Sequence, residues 1–322
     1  MPIFLGGVMV KYRYVLLLVQ VIGLVCLADS DVEQKLQKAI ERHNTAEFGL
    51  VYEFTVQGET TKIKFTTVVP RTLPDRQKIT VQYRPRPSKV FDKNGNRYAE
   101  FVFVKPESQF KVEINLKAEM YRYDLSTAQR REKKRLSKGL AFADFLKEEK
   151  YVEKNDARIQ QIAEGITGEN ESEVVEKIYN YVIDNMEYGG YKPKPAGATK
   201  ALAQRKGDCT EYTHLFVAIC RAKNIPAKVI SGYITKFDVT PRHNWAEVYL
   251  KEYGWVPFDP TFGDDKSPSV RMKVFRTLEP IYISRTHFIN DETLNGELYY
   301  WFEYMGDKVE VKSSIEFKKS SL

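Results

Sequence analysis

Apolar and polar residues alternate along residues 50–116, a period that predicts β-strands. The alternation runs through Leu50–Val56 and again through Ile63–Val69, and the turn-like residues 57–60 between them predict that these two strands form a hairpin. Further strands are predicted at 79–83, 90–91, 97–104 and 110–116, with a turn at 92–96. We therefore predict an antiparallel β-rich domain, most simply a sandwich, over about residues 47–123.

Helical spacing occurs both before and after this β-rich stretch. A short amphipathic helix is predicted at 31–45, and further helices are predicted at 156–164, 172–186 and 209–223. Strands are then predicted near 227–236, 243–250 and 254–259, and the tail returns to β-like patterns at 270–283, 298–304 and 309–317.

The N-terminal residues 1–28 have the pattern of a secretory signal peptide. Lys11 and Arg13 precede an apolar run from Tyr14 to Ala28, which is shorter than the roughly 20 residues that span a bilayer. We expect cleavage near Ala28 and a secreted, periplasmic or cell-surface protein without a stable membrane span. An uncleaved anchor and, less favoured, lipidation at Cys26 are the alternatives. The mostly apolar residues before Lys11 also allow translation to start at Met9.

These patterns divide the chain into segments. We predict a signal peptide at 1–28, an N-terminal β-rich domain at 29–123, a charged linker at 124–155, a core of helices and antiparallel strands at 156–264, and a C-terminal β-rich segment at 265–322. The basic run 129–135 is interpreted as a solvated helix or linker, with a patch for nucleic acid or an anionic surface as the alternative.

Charge gives little support to that alternative. The net charge is +7, from 50 basic and 43 acidic residues, and removal of Lys11 and Arg13 with the signal peptide would leave +5. Such a mixed surface argues weakly for a polyanionic partner, and no aromatic residues interleave the basic run to stack on bases. We expect no nucleic acid partner.

Cysteines and histidines are few, which limits the chemistry. The three cysteines are too few for a disulfide scaffold or for a four-cysteine metal site. Neither a His-Glu-X-X-His nor a Cys-X-X-Cys motif occurs, so we expect no metal and no other cofactor. The residues concerned are Cys26, Cys209, Cys220, His43, His214, His243 and His287.

Cys209 is predicted at the first position of a helix. Asp208 fits an N-cap and Glu211, three residues later, completes a capping-box pattern. The positive end of the helix dipole stabilises a thiolate there, but the two acidic neighbours oppose this effect, so a second positive partner such as an imidazolium is needed. Cys220 lies about 16 Å further along the same helix, too far for a disulfide, and is interpreted as a core residue.

His243 is the histidine best placed to serve this cysteine. His214 lies about 140° around the helix from Cys209, and His43 and His287 are interpreted as ordinary core or surface residues. His243 begins a predicted strand whose return strand ends at Asp259, and one register brings the two side chains within reach. A nucleophile, a base and a carboxylate that orients the base form the Cys-His-Asp arrangement.

Four sequence blocks, in their order and spacing, resemble the transglutaminase-like superfamily, in particular its bacterial and archaeal secreted members. The blocks are Gly207-Asp-Cys209, Arg221–Tyr233, His243–Tyr249 and Gly254–Thr261. The resemblance covers about residues 172–262, roughly a third of the chain. It implies a papain-like α+β core with Cys209 as nucleophile, His243 as base and Asp259 as orienter. The segment 47–123 also resembles the β-rich domain that often precedes this core.

The resemblance implies a secreted cysteine enzyme that acts on amide bonds of proteins or peptides through a thioester acyl-enzyme. Transfer to water gives hydrolysis and transfer to an amine gives cross-linking; the simple microbial type of core favours hydrolysis. A non-catalytic binding or scaffolding module with the same fold is the alternative. No oligomeric state is predicted.

The surroundings of the nucleophile differ from those of the animal enzymes. Gly-Asp-Cys-Thr stands where those enzymes have Gly-Gln-Cys-Trp, so calcium dependence is not implied. The predicted oxyanion donor is the backbone N–H of Cys209. Tyr188 and Tyr191 are further candidates, although a core or loop-surface role is the better interpretation of each.

Overall fold

A computed structural model describes residues 43–128, 142–235, 242–287 and 291–318. The predicted signal peptide, most of the predicted helix 31–45 and the basic run 129–135 lie outside these residues. Where the described chain begins, residues 43–45 belong to a strand, so the prediction of a helix is wrong for them.

The first part of the described chain consists of strands, as the alternating pattern predicts. They are β1 (His43–Val56), β2 (Thr60–Val69), β3 (Gln77–Arg84), β4 (Lys89–Lys93), β5 (Asn96–Val104), β6 (Gln109–Tyr121) and β7 (Tyr123–Asp124). The predicted turn at 92–96 joins β4 to β5 as a hairpin. Asn94 and Gly95 adopt positive φ angles of 50° and 81° there, as tight hairpin turns require.

Helices dominate the next part, and strands follow them. The elements are α1 (Ala157–Gly165), α2 (Glu171–Asn185), β8 (Glu187–Tyr188), α3 (Ala198–Gln204), β9 (Lys206–Gly207), α4 (Cys209–Ala222), β10 (Ala227–Ile234), β11 (Arg242–Leu250), β12 (Gly254–Phe258), α5 (Pro268–Arg276), β13 (Thr277–Leu278), β14 (Tyr282–Thr286), β15 (Tyr300–Gly306) and β16 (Val309–Lys318).

One predicted β-like segment contains a helix instead. Residues 268–276 form α5, where Pro268 supplies a φ angle suited to the first helical turn. Met272 and Phe275, three residues apart, both pack on the helical core. This helical spacing outweighs the weak alternation from which a strand was predicted.

The β-rich strands form a sandwich. In the described part of the chain, two four-stranded antiparallel sheets have the strand orders β16-β1-β6-β3 and β15-β2-β5-β4. Their inner faces share one apolar core. The ring centroids of Tyr52 and Phe65 lie 4.8 Å apart, and those of Phe54 and Phe65 lie 5.2 Å apart.

The predicted hairpin of β1 and β2 is therefore wrong. The two strands lie in different sheets, and the residues between them cross from one sheet to the other. This arrangement packs the aromatic side chains of β1 and β2 against each other across the interior of the sandwich, in tilted and edge-to-face contacts.

Strands from the C-terminal segment complete both sheets of the sandwich. β16 pairs antiparallel with β1 from Val56–Val309 to Glu47–Lys318, and β15 pairs with β2. The strands predicted at 298–304 and 309–317 are confirmed. The segment boundaries proposed from the sequence stay a prediction.

The second apolar core holds the helix that begins at Cys209. Helix α4 packs against an antiparallel sheet of order β12-β11-β10-β14. Leu215, Phe216 and Ile219 are fully buried on this helix. The predicted α+β fold, with an antiparallel sheet behind this helix and a β-rich domain before it, is confirmed. Within the described ranges, no helix is both long and apolar enough to cross a bilayer.

The stability of the sandwich provides a test of this architecture. Phe54 is 1% exposed and stacks on Phe110 at 4.6 Å, so Phe54→Ala should lower the free energy of unfolding by about 3–5 kcal/mol in urea denaturation. The neighbouring Glu53 is exposed, and Glu53→Ala is the matched control with an expected effect within about 0.5 kcal/mol. Equal effects of the two substitutions would contradict the assignment of Phe54 to the core.

Candidate active site

The start of α4 carries the predicted capping box. The Asp208 carboxylate accepts a hydrogen bond from the backbone N–H of Thr210 at 2.8 Å, and the Glu211 carboxylate accepts one from the N–H of Asp208 at 3.0 Å. Cys209 is the first residue of the helix and is partly exposed. The helix dipole therefore points its positive end toward an accessible sulfur.

The same two carboxylates also hold the loop before α3. Asp208 Oδ2 accepts from the N–H of Lys192 at 2.9 Å, and Glu211 Oε1 accepts from the N–H of Ala196 at 2.8 Å. Gly207 allows this arrangement, because a Cβ there would lie 2.3 Å from the Cβ of Glu211. Since backbone N–H groups solvate both carboxylates, their negative charges are partly compensated close to the sulfur.

The other cysteine and histidine of α4 lie on its buried part. Cys220 is fully buried, as predicted, and burial raises the pKa of its thiol far above the ordinary value. His214 stacks on Tyr151 with ring centroids 5.8 Å apart, and burial lowers the pKa of its imidazole to about 3. His214 is therefore neutral at physiological pH and cannot supply a positive charge.

The hairpin of β11 and β12 brings the predicted base and carboxylate together. Ala246 pairs with Phe258, which sets Asp259 opposite Trp245 in the register that the sequence predicts. The Nε2 atom of His243 lies 2.7 Å from Oδ2 of Asp259. His243 is 6% exposed and Asp259 is fully buried.

Asp259 has several further partners that the sequence analysis missed. Its Oδ2 accepts a hydrogen bond from the hydroxyl of Tyr282 at 2.7 Å, and its Oδ1 accepts from the N–H groups of Thr261 at 2.9 Å and Phe262 at 3.1 Å. The hydroxyl of Tyr179 donates to the backbone carbonyl of Asp259 at 2.9 Å. Side chain and backbone of this aspartate are thus both held in place.

These contacts keep the buried carboxylate charged. Burial favours its neutral form, but the positive charge of His243 and the hydrogen bonds from His243, Tyr282 and the backbone outweigh burial and lower the pKa of Asp259. An ionised aspartate at this position can orient a protonated imidazole and stabilise its charge.

The pKa of His243 moves in the opposite direction. Burial alone would lower it, but the negative charge of Asp259 and the hydrogen bonds to Asp259 and Cys209 outweigh burial and raise it to about 10. Because Nε2 contacts Asp259, Nδ1 is the ring nitrogen that can serve a second partner. The structure therefore brings His243 into contact with Asp259 and places Cys209 near enough to influence the charge of the imidazole.

Side chains from two elements hold the start of α4 against the sheet. The Asn244 amide donates to the hydroxyl of Thr210 at 3.0 Å, and its Oδ1 accepts a hydrogen bond from the hydroxyl of Ser231 at 2.5 Å. The ring of Phe262 stacks on His243 with centroids 4.9 Å apart. These contacts restrict the imidazole and the helix start relative to each other.

The tyrosines considered as oxyanion donors are on the surface. Tyr188 is 54% exposed and Tyr191 is 67% exposed. Tyr188 pairs with Gly207, two residues before Cys209, and burial raises the pKa of the Tyr188 hydroxyl. Among the residues that the structure describes, no three His, Cys, Asp or Glu side chains gather in a way that could hold a metal ion.

The backbone hydrogen bonds to Asp259 can be recognised in the sequence, whereas its contact with Tyr282 cannot. Asp259-Pro-Thr261 is typical of an Asx turn, in which the carboxylate accepts N–H groups two and three residues later. Tyr282 follows only after the segment that contains α5, and no local pattern indicates that it returns to the aspartate.

The fold and this arrangement define a papain-like core of the transglutaminase type, and comparison with known proteins agrees. Residues 160–260 match the family model of the transglutaminase-like superfamily, and this part of the chain belongs to that superfamily. A candidate cysteine protease from Cytophaga hutchinsonii has a similar fold, with a TM-score of 0.51 and 18% identity, over 85% of this chain and 98% of that protein.

Curated relatives match over a shorter stretch. The protein YebA of Bacillus subtilis is 33% identical over 73 residues, 18% of this chain and 10% of that protein. A protein-glutamine gamma-glutamyltransferase of Pseudomonas aeruginosa is 32% identical over 71 residues, again 18% and 10% of the two chains. The chain thus spans about a tenth of the length of the curated relatives it matches.

The raised pKa of His243 predicts a pH-dependent contribution to stability. The imidazole has a pKa near 6.5 when unperturbed and about 10 in the folded protein, so its ion pair stabilises fully below pH 6.5 and is lost as the pH rises through 10. The difference in unfolding free energy between wild type and His243→Gln should shrink over this window, by at most about 1.4 kcal/mol per pH unit. A difference that stays constant between pH 6.5 and 10 would refute this assignment.

Proposed function

We propose that the protein is a cysteine enzyme that cleaves amide bonds of proteins or peptides through a covalent thioester. Cys209 serves as the nucleophile, His243 transfers the proton and Asp259 orients the imidazole. The observation that supports this proposal most directly is the position of His243, which contacts Asp259 at 2.7 Å and lies close enough to Cys209 for that residue to raise the pKa of the imidazole.

The acylation step follows from the charges of this arrangement. The Cys209 thiolate attacks the amide carbonyl carbon, and a new C–S bond forms while negative charge moves to the carbonyl oxygen. The imidazolium of His243 then protonates the leaving amine as the C–N bond breaks, which releases the amine and leaves a thioester on the sulfur. His243 is now neutral and can act as the base for the second step.

The N–H of Cys209 at the start of α4 supports charge stabilisation in this step. The first N–H groups of a helix have no partner within the helix and point along the positive end of its dipole. An oxyanion formed on the carbonyl next to the sulfur can accept a hydrogen bond from this N–H. Tyr282 acts as a positioning residue, because it contacts Asp259 and not the reacting atoms.

The acceptor of the acyl group decides the net reaction. Neutral His243 can remove a proton from water, which gives hydrolysis, or from an amine, which gives acyl transfer. The names of similar proteins include both outcomes, a candidate cysteine protease and a protein-glutamine gamma-glutamyltransferase. We propose a protein or peptide substrate for either outcome.

Export of the protein is also part of the proposal. Lys11, Arg13 and the apolar run up to Ala28 support secretion or retention at the periplasmic side or the cell surface. These residues lie outside the part of the chain that the structure describes.

The proposal predicts selective alkylation of one cysteine. At pH 7, iodoacetamide should label Cys209 at least about tenfold faster than Cys220, because a thiolate beside an imidazolium reacts faster than a buried thiol. His243→Ala should slow labelling of Cys209 about tenfold or more, and peptide mass spectrometry of timed samples gives both rates.

A control variant at another histidine makes this result specific to His243. His43→Ala replaces a histidine at the start of β1 and should leave the rate at Cys209 unchanged. Equal slow labelling of both cysteines would contradict an activated nucleophile and would favour a binding or scaffolding module with this fold.

A further inference from the structure

Two arginines lie over one tyrosine ring close to the proposed nucleophile. Arg242 begins β11, one residue before His243, and its Cζ lies 4.9 Å from the ring centroid of Tyr299. The Cζ of Arg285 on β14 lies 4.6 Å from the same centroid. We call Arg242, Arg285 and Tyr299 the arginine–tyrosine cluster.

Neither guanidinium is neutralised within the described ranges. Arg285 is 5% exposed, and its donors meet neutral acceptors such as the carbonyl of Val68 at 3.0 Å and the hydroxyl of Tyr52 at 2.7 Å. Arg242 is exposed on the surface. Of the residues that the structure describes, no carboxylate forms an ion pair with Arg242 or Arg285. A buried charge without a counterion is unfavourable, which is a reason to expect an anion to bind here.

The cluster lies next to the start of α4. Arg242 and Asn244 are two residues apart on one strand face, so their positions differ by about 6.6 Å. Asn244 donates to Thr210, the residue after Cys209. Oδ1 of Asn244 in turn accepts a hydrogen bond from the hydroxyl of Ser231 on β10. Arg242 also directly precedes His243 on this strand, so the cluster adjoins the residue proposed as the base.

A small cavity adjoins both arginines. Its volume is about 10 Å³, and its lining includes Tyr52, Arg242, Arg285, Tyr299, Ser313 and Ser314. This volume holds about one water-sized group, such as one oxygen of a carboxylate. Leu50 and Ile315 also line it, and the polar part of the lining carries hydroxyl and guanidinium donors, which suits an acceptor and not another cation.

We propose that the arginine–tyrosine cluster binds a carboxylate of the peptide substrate, close to the amide that Cys209 attacks. The exposed guanidinium of Arg242, held over Tyr299, offers a planar pair of N–H donors that fits a carboxylate. Arg285 adds fixed positive charge behind it. This inference rests on the proposed function, since it assigns the substrate preference of the same site.

The two reagents iodoacetate and iodoacetamide test the site without a known substrate. Both alkylate sulfur in the same way, but iodoacetate carries a carboxylate. Arg242→Gln should reduce the ratio of iodoacetate to iodoacetamide rates at Cys209 about three- to tenfold, and Arg242→Glu should reduce it further. The iodoacetamide rate should stay within about twofold of wild type, because the Cys–His pair is unchanged. The ratio in wild type should also fall with added salt.

The design separates failure of this inference from failure of the proposed function. Iodoacetamide reports the Cys209–His243 pair, whereas the ratio of the two reagents reports the cluster. Arg86 is exposed in the loop between β3 and β4, and Arg86→Gln is the matched control that should leave the ratio unchanged. An unchanged ratio in both Arg242 variants would overturn the carboxylate site even if iodoacetamide reacts fast.

Matched peptides identify the source of the carboxylate. One peptide has a free C-terminal carboxylate and no acidic side chain, a second is amidated and contains one glutamate, and a third is amidated with glutamine in that place. Acyl-adduct formation on Cys209 should be fastest with one of the first two, and Arg242→Gln should remove its advantage over the third. Equal rates for all three peptides would also overturn the proposal.

Discussion

The structure of the candidate site depends on one buried carboxylate. Asp259 is fully buried, and a charge in such a position is stable only if hydrogen bonds and a counter-charge replace the water it has lost. The backbone N–H groups of Thr261 and Phe262, the hydroxyl of Tyr282 and the ring of His243 supply them. The orientation of the imidazole toward Cys209 follows from these bonds.

The elements that carry these groups come from distant parts of the chain. Helix α2 supplies Tyr179, the hairpin of β11 and β12 supplies His243 and Asp259, and β14 supplies Tyr282. β14 joins the sheet behind α4 through β10. Arg285 on the same strand bonds to Tyr52 and to the carbonyl of Val68 in the sandwich. The sandwich and the helical core therefore meet at the strand that also fixes the carboxylate.

The sequence predicts the parts of this arrangement that have local signals. The capping box of Asp208 and Glu211 and the short hairpin between His243 and Asp259 can be predicted because each depends on residues close together in the chain. The separation of β1 and β2 into different sheets cannot, because it depends on β15 and β16, more than 200 residues later. The contact between Tyr282 and Asp259 has no local signal either, because the two residues lie 23 positions apart with α5 between them.

The central claim is that Cys209 forms a covalent acyl intermediate assisted by His243. The most direct measurement is mass spectrometry of the intact protein and its peptides after rapid acid quenching of a reaction with a peptide library. We predict an acyl adduct on Cys209 that is absent from Cys209→Ala and strongly reduced in His243→Ala. Rapid alkylation of Cys209 without any acyl adduct across the library, or an adduct of equal yield in His243→Ala, would contradict the account.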